Sequence, residues 1–236
     1  ESFQPGRMKR LKLGYEDLCK MKPDIIMTSI TPFGQSGPKA HYCGTDLTVW
    51  ASGGYLNLCG NPDRPPTWIS FPQAFLWGGV EAALGTLTAL WYRQATGEGQ
   101  FVDVSIQECV VSPTFNVLPM WDMNQIEFRR TGGSYYVSST GVHQTLYYRC
   151  KDGHVLILTQ GGVEPFVSSM KRLIEWIDEE GMADDLLRKL DVAVDLDATT
   201  MGQGLADQLA TAVAKFTLTK TKAELYEEGG IKRRIL

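Results

Sequence analysis

The stretch from Pro65 to Val110 constrains the fold of this chain more than any other part of the sequence. Apolar residues recur at intervals of three and four along residues 75–94, which predicts an amphipathic helix with one buried face. The residues of that face are Leu76, Val80, Ala83, Leu84, Leu87, Leu90 and Trp91. Turn residues at 96–99 end the helix, and residues 101–104 follow as a strand. The segment therefore predicts a helix, a tight turn and a strand in close succession.

Small residues on the same helix indicate that a second backbone packs closely against it, at a cost of roughly 1 kcal/mol in helix propensity per glycine. These residues are Gly78, Gly79, Ala82, Ala83, Gly85 and Ala89. After the strand, Ser105 is placed to cap a further helix, predicted over 106–118, and Glu108 stands three positions on to complete a capping box. That second helix is apolar on most faces, which predicts that it is buried.

The composition is that of a globular protein, with 236 residues, 43% of them hydrophobic and 21% charged. A net charge of −4 argues against nucleic acid as the main partner, because no basic stripe is present to contact phosphates. No run of apolar residues is long enough to span a membrane. The sequence thus predicts a protein with no nucleic-acid partner and no membrane segment.

The cysteines and acidic residues do not predict a metal site. The five cysteines are scattered, form no CxxC pair and have no histidine at ligand spacing, which indicates a reducing, cytoplasmic setting. Five aspartates lie between Asp184 and Asp197, but they lack the glycine and glutamate of an EF-hand loop. We therefore expect solvated helix ends there and no metal.

The order of elements predicts an α/β fold. Residues 24–30 form an apolar, β-branched run typical of a buried strand in a parallel sheet, and the loop 33–38 follows its carboxyl end, where such sheets bind ligands. From about Glu127 the pattern changes to a hairpin over 147–158 with an Asp-Gly turn, followed by helices at 164–177, 182–190, 205–216 and 222–228. We expect part of a large, mainly parallel-sheet domain over 1–126 and a smaller α+β domain over 127–236.

Four motifs, in this order along the chain, resemble those of the family III CoA-transferases (CaiB/BaiF), which include the formyl-CoA and carnitine types, with the 2-methylacyl-CoA racemases as relatives. They are Glu1-Ser2-Phe3-Gln4-Pro5-Gly6 with Arg10-Leu11, then Pro23-Asp24-Ile25-Ile26, then Thr31-Pro32-Phe33-Gly34-Gln35-Ser36-Gly37-Pro38, and last Arg93 to Glu108. The resemblance covers essentially the whole chain. It implies interlocked dimers and members that extend beyond both Glu1 and Leu236, so we expect this chain to be part of a longer polypeptide.

The resemblance also implies a chemistry that this chain does not carry in full. In the family an aspartate near the start of the central helix attacks an acyl-CoA thioester, forms a mixed anhydride and then an enzyme–CoA thioester, and passes CoA to a carboxylic acid. That position falls on Phe75 here, or on Ala74 in the neighbouring register. The histidine of the racemase relatives is replaced by Thr45, and the family's glycine-rich loop, aligned with residues 139–144, keeps one glycine. The sequence therefore predicts that the family nucleophile is missing.

Residues on the coenzyme side match the family better. The resemblance assigns Arg10 and Phe3 to the CoA site and Gly34 and Gln35 to the neighbouring loop. Coenzyme A is then a substrate, together with an acyl donor and a carboxylic acid acceptor.

Two carboxylates could replace the nucleophile, since Glu81 lies on the central helix and Glu108 begins the next one. Cys109 lies in an apolar helix without a neighbouring histidine, so we expect it to be a packing residue.

Three hypotheses remain open at this stage. The chain is the subunit without a nucleophile of a heteromeric CoA-transferase, by analogy with family enzymes that activate aromatic succinates, such as benzylsuccinate CoA-transferase. Alternatively, it is a self-sufficient transferase, as a homomer, that uses Glu81 or Glu108. The third hypothesis is a CoA-binding or structural protein without turnover.

Overall fold

The computed structural model describes residues 1–115, 117–137 and 140–236. The described chain forms two compact units, Glu1–Arg130 and Thr131–Leu236. Each unit has its own hydrophobic core.

The first unit contains a parallel pair of strands, β1 (Met27–Thr31) and β2 (Phe101–Ser105). Met27 pairs with Phe101 and Thr31 with Ser105, so the two strands run in register along their full length. The α-helices of this unit are α1 (Arg7–Arg10), α2 (Tyr15–Met21), α3 (Asp46–Ser52), α4 (Gln73–Thr96), α5 (Ile106–Val111) and α6 (Val117–Asn124). The expected parallel sheet within an α/β arrangement is confirmed.

The core of the first unit forms where α3, α4 and α5 meet. Buried Val49 and Trp50 of α3 pack with Ala74 of α4 and with Ile106 and Val110 of α5. Aromatic rings extend this cluster, with the ring centroid of Trp50 4.8 Å from that of Tyr55 and 5.1 Å from that of Trp77. The start of α4 is thereby fixed against α3.

The buried face of α4 is not the predicted one. Its buried residues are small, namely Ala74, Gly78, Ala82 and Ala89, and α4 packs against β1, β2 and α5. Most of the large apolar residues lie on exposed positions, with Leu76 48%, Val80 66%, Leu84 59%, Leu87 62% and Trp91 77% exposed. A Cβ at Gly78 would lie 2.9 Å from Cγ1 of Ile106, so only small residues allow this approach. The periodicity identified an apolar stripe that exists on α4. Within the described chain that stripe is mostly exposed, and the small residues form the buried face.

The helix expected over 106–118 is shorter than predicted. It stops at Val111, and a 3₁₀ turn over Ser112–Thr114 holds Pro113, which lacks the N–H that a continuing α-helix requires. Phe115 is 79% exposed and Leu118 is 66% exposed, so this segment is not buried within the chain. The predicted capping box is also absent, because Ser105 makes no side-chain hydrogen bond to the start of α5.

The turn after α4 ties the helix to the sheet. Gly97 ends α4 with a φ of 79°, a conformation that glycine adopts without strain. A Cβ at Gly99 would collide with the backbone of Asp24 and Ile25. Nη1 of Arg93 donates to the carbonyl of Asp24 at 3.3 Å. The motif at 93–99 therefore fixes the approach of α4 to the segment that precedes β1.

The second unit combines two antiparallel hairpins with helices. Strands β3 (Ser134–Val137) and β4 (Val142–Thr145) form one hairpin, and β5 (Tyr147–Cys150) and β6 (Gly153–Leu156) form the other, as predicted for 147–158, although its turn is Lys151-Asp152. The helices are α7 (Phe166–Glu179), α8 (Asp185–Lys189), α9 (Gln203–Thr217) and α10 (Lys222–Glu224), and a π-helical segment (Leu225–Lys232) follows. The core lies between α7 and α9, where the rings of Trp176 and Phe216 are 4.9 Å apart.

The aspartates of the second unit accept local backbone hydrogen bonds. Asp184 caps α8 through the N–H of Leu187 at 3.0 Å, and Oδ1 of Asp197 accepts from the N–H of Thr199 at 2.7 Å. In the described part of the chain, no three His, Cys, Asp or Glu side chains are grouped as metal ligands. No helix of the described residues is long and apolar enough to cross a membrane.

Candidate functional site

A cavity of about 470 Å³ lies beside the start of α4 in the first unit. We call it the Phe75 cavity, because the side chain of Phe75 lines it at the position that the family resemblance gives to the nucleophile. Its lining residues are Ser2, Phe3, Gln4, Pro5, Ile30, Thr31, Pro32, Ala40, Tyr42, Cys43, Gly44, Phe75, Gly79 and Ile106. Among these described residues there is no Asp, Glu, His, Lys or Arg. The described cavity wall is thus mostly apolar and carries no charged side chain.

The carboxylate of Asp46 lies close to Phe75 but accepts two hydrogen bonds. Oδ1 of Asp46 accepts from the backbone N–H of Phe75 at 3.1 Å, and Oδ2 accepts from the indole N–H of Trp68 at 3.2 Å. Asp46 is 7% exposed and does not line the cavity. Pro72, the residue before α4, makes no capping hydrogen bond, so Asp46 supplies the acceptor that the helix start needs. Its position defines it as a positioning residue for Phe75.

Of the residues that the resemblance assigns to coenzyme A, Phe3 lies at the Phe75 cavity and Arg10 does not. Phe3 is 45% exposed, and the guanidinium of Arg7 lies 4.9 Å from its ring centroid. Arg10 is exposed at the end of α1. It lines neither the Phe75 cavity nor the adjoining cavity that Gln35 lines. The arginine stacked on Phe3 is therefore Arg7, one helical turn before the arginine that the motif pointed to.

Gly34 and Gln35 are held by β2. The backbone N–H of Gln35 donates to both carboxylate oxygens of Asp103, at 3.2 and 2.9 Å, and its side-chain Nε2 donates to Oγ of Ser29 at 2.7 Å. Gly34 is buried at a φ of 79° beside the same carboxylate. Gln35 lines a second cavity of about 440 Å³, and Gln4 lines both cavities, so the two adjoin.

The two candidate replacement carboxylates do not line the Phe75 cavity. Glu108 is exposed, and Glu81 is half-buried near Cys109. Burial and, to a smaller extent, the negative charge of Glu81 raise the pKa of the Cys109 thiol to about 11. Cys109 is therefore a neutral thiol at physiological pH, in keeping with a packing role.

The positions of the other family catalytic elements also have structural roles or lie outside the described residues. Thr45 caps α3 in a capping box with Thr48. Of the segment aligned with the glycine-rich loop, Ser139 lies outside the described residues, and Val142 to Gln144 belong to β4. Gly141 has a φ of 75° in the turn before that strand.

Sequence reasoning missed the structural roles of Asp46 and Asp103. Asp103 stands inside the last of the four motifs, whereas Asp46 lies outside all four. An acidic residue can supply the hydrogen-bond acceptor that a loop or a helix start needs. The sequence does not show which loop or helix each aspartate reaches, because each partner is far away in sequence. Only the tertiary fold brings Asp46 to Phe75 and Asp103 to Gln35.

Comparison with known proteins gives the family. The model of CoA-transferase family III matches residues 1–231. The chain belongs to this family. The turn at 93–99, the Phe75 cavity and the loop that Asp103 holds are therefore features of a family III chain.

Individual relatives agree with this assignment. The chain is 32% identical over 229 residues to the succinyl-CoA:(R)-benzylsuccinate CoA-transferase subunit BbsE of Thauera aromatica, covering 97% of this chain and 53% of the relative. It is 37% identical over 132 residues to a succinyl-CoA–D-citramalate CoA-transferase of Chloroflexus aurantiacus, covering 56% of this chain and 33% of the relative. The chain thus spans about half or less of the curated relatives that it matches.

A solved structure shows the same fold. A CaiB/BaiF family protein from Brucella suis superimposes with a TM-score of 0.71 at 24% identity, covering 100% of this chain and 58% of that chain. The likeness supports the arrangement of elements described above.

Proposed function

We propose that this chain is part of a family III CoA-transferase subunit that lacks the nucleophilic carboxylate and works with a companion subunit that supplies it. The observation that carries this proposal is the Phe75 cavity. A transferase of this family needs a carboxylate free to attack a thioester, whereas the described wall of this cavity is uncharged and the nearby carboxylate of Asp46 is occupied by two hydrogen bonds.

A phenylalanine cannot replace the carboxylate in this chemistry. The attacking carboxylate must form a mixed anhydride with the acyl group while the CoA thiolate leaves. Its carbonyl carbon must then be attacked by that thiolate, while the acyl group of the donor leaves as a carboxylate. The benzyl group of Phe75 has no lone pair to donate and no leaving group to exchange. The companion subunit therefore carries the covalent steps in this proposal.

The similarity to a protein named as a subunit supports the same division of labour. The match to the benzylsuccinate CoA-transferase subunit extends over nearly the whole of this chain. We infer an acyl-CoA donor, such as a succinyl thioester, and a carboxylic acid acceptor of the aryl-substituted succinate class. Coenzyme A is the shared substrate, and Phe3, Arg10, Gly34 and Gln35 remain the residues proposed to contact it.

The exposed stripe of α4 supports association. Val80, Leu84, Leu87 and Trp91 expose more than half of their surface, and they are spaced as on one face of a helix. Apolar area of this kind is stabilised when it is covered, by roughly 25 cal/mol per Å². We propose that α4 packs in the assembled enzyme, as a homo- or heteromer with the interlocked arrangement of the family, in which residues 1–126 and 127–236 belong to the large and small domains. The five free cysteines are consistent with a cytoplasmic setting.

Co-expression tests the subunit role. The full polypeptide is purified alone and together with the family III protein encoded beside it, and CoA transfer is measured from succinyl-CoA to an aryl-substituted succinate. The proposal expects turnover only from the pair. Turnover by the chain alone, at a rate comparable to that of the pair, would contradict it and would favour the self-sufficient transferase with Glu81 or Glu108.

Isothermal calorimetry with CoA completes the test. If the pair has no transferase activity and the chain alone binds CoA, the chain is a CoA-binding protein without turnover. If neither binds nor turns over CoA, the assignment of Phe3, Arg10, Gly34 and Gln35 is also wrong.

A further inference from the structure

We propose that the Phe75 cavity binds an uncharged molecule or group that carries an aromatic ring, and that it excludes carboxylates. This goes beyond the subunit role, since it assigns a ligand class to the place where a nucleophile would otherwise lie.

The chemistry of the cavity wall selects the ligand. Rings of Phe3, Tyr42 and Phe75 line it together with the aliphatic side chains of Ile30 and Ile106. Aromatic rings pack favourably against such a wall in edge-to-face or offset geometry, which adds to the gain from burying their area. The wall therefore favours a planar apolar ring.

The absence of a cation among the described lining residues excludes anions. A buried carboxylate is stable only when a cation or several donors compensate its lost hydration. Arg7 is stacked on the ring of Phe3 and does not line the cavity. A ligand carboxylate inside the cavity would meet no opposite charge there.

The size of the cavity also fits a ring with substituents. An enclosed cavity of roughly 150 Å³ is enough to bind benzene, and this cavity, which is partly open to solvent, measures about 470 Å³. Thr31 is 1% exposed and lines the cavity, and its Oγ1 has no hydrogen-bond partner among the described residues. That oxygen is buried, so the polar groups open to a ligand are those of the exposed lining residues Ser2, Gln4 and Tyr42.

Glycine 79 keeps the cavity open. It lies one turn after Phe75 on α4, and a Cβ at this position would meet no atom within 4 Å. A larger side chain at Gly79 therefore has room to enter the cavity without disturbing the helix. Gly204 in α9 is a matched control, since it is also exposed and helical with open space around it, but it lies in the other unit.

Two probes with the same ring test the ligand class. Methyl 3-phenylpropanoate is neutral, whereas 3-phenylpropanoate is an anion at neutral pH. Binding to the full polypeptide is followed by the rate at which iodoacetamide alkylates Cys43, an exposed thiol in the cavity lining. Cys19, which does not line the cavity, is the internal reference in the same peptide mass analysis.

The expected result is that a saturating concentration of the ester slows alkylation of Cys43 at least about threefold and leaves Cys19 unchanged, and that the acid binds at least about tenfold more weakly. Gly79→Leu lowers the affinity for the ester at least about tenfold, and Gly204→Leu leaves that affinity unchanged.

Three results overturn the proposal: equal binding of the acid, no protection by the ester, or an unchanged affinity for the ester in Gly79→Leu. Protection of Cys43 before any probe is added, with no binding of either probe, also overturns it, since another segment or subunit then fills the cavity. The assay requires no companion subunit and no turnover, so its failure leaves the subunit role standing.

Discussion

Oδ1 of Asp46 accepts the backbone N–H of Phe75 at 3.1 Å. The bond joins the first residue of α3 to the third residue of α4, two helices separated by the 20 residues 53–72. It places a negative charge at a helix N-terminus, where the partial positive charge of the helix stabilises it. The carboxylate of Asp46 is thus used to hold the start of this helix.

Replacing Asp46 tests that role. Asp46→Ala leaves the N–H of Phe75 and the indole of Trp68 without an acceptor, so we expect the free energy of unfolding of the first unit to fall by about 1–3 kcal/mol. Asp46→Asn keeps one oxygen acceptor and loses about half as much. Thermal unfolding measures the difference, with Asp63→Asn as the control because the Asp63 side chain is 72% exposed. Equal stability of Asp46→Ala and the parent protein would show that these hydrogen bonds do not hold the helix.

The two glutamates once considered as nucleophiles are expected to be dispensable. Glu81 and Glu108 do not line the Phe75 cavity, so Glu81→Gln and Glu108→Gln should leave kcat of the assembled enzyme within about twofold of the parent value. The measurement is the steady-state rate of CoA transfer by the purified pair. A loss of about a hundredfold or more in either variant would assign that carboxylate to catalysis.

The exposed stripe on α4 gives a prediction about assembly. Leu84→Glu places a charge on a surface that we propose is covered, so the pair should associate at least about tenfold more weakly. Val194→Glu is the matched control, because Val194 is similarly exposed, at 63% against 59% for Leu84, and lies in the second unit. Light scattering after size-exclusion chromatography measures the complex. Unchanged association of Leu84→Glu would remove α4 from the interface.

Cys109 gives a prediction about pH. Burial raises the pKa of its thiol from 9.0 to about 11 in the folded chain. A raised pKa means that folding favours the neutral thiol, so the stability that it contributes is complete below about pH 9 and is lost as the pH rises through 11. The difference in unfolding free energy between the parent protein and Cys109→Ala should therefore shrink between pH 8.5 and 11, by urea titration at each pH. A difference independent of pH would contradict the shifted pKa.

The sequence predicted the local elements of the first unit better than their burial. Residues 101–104 were predicted correctly as a strand, because the alternation of side chains is a local signal. The burial of α4 was predicted on the wrong face, because Leu84 and Trp91 satisfy the same periodicity as the small residues that face β2. Which face is covered depends on what else packs there, and that information lies outside the helix.

The candidate site was also predictable only in part. The motifs placed Phe75 at the nucleophile position, and the structure places its side chain in a cavity with Phe3. The motifs gave no sign that Asp46 would cap α4, since that contact depends on the path of the chain between α3 and α4. The stacking of Arg7 on Phe3 is a local contact, but the motif pointed to Arg10 instead.

Trapping of the covalent intermediate tests the missing nucleophile most directly. The assembled enzyme is incubated with succinyl-CoA, treated with hydroxylamine and analysed by peptide mass mapping, which locates the carboxylate that became an acyl derivative. We expect the hydroxamate on an aspartate of the companion subunit and none on Asp46, Glu81 or Glu108 of this chain. A hydroxamate on any of those three residues would show that this chain performs the covalent step itself.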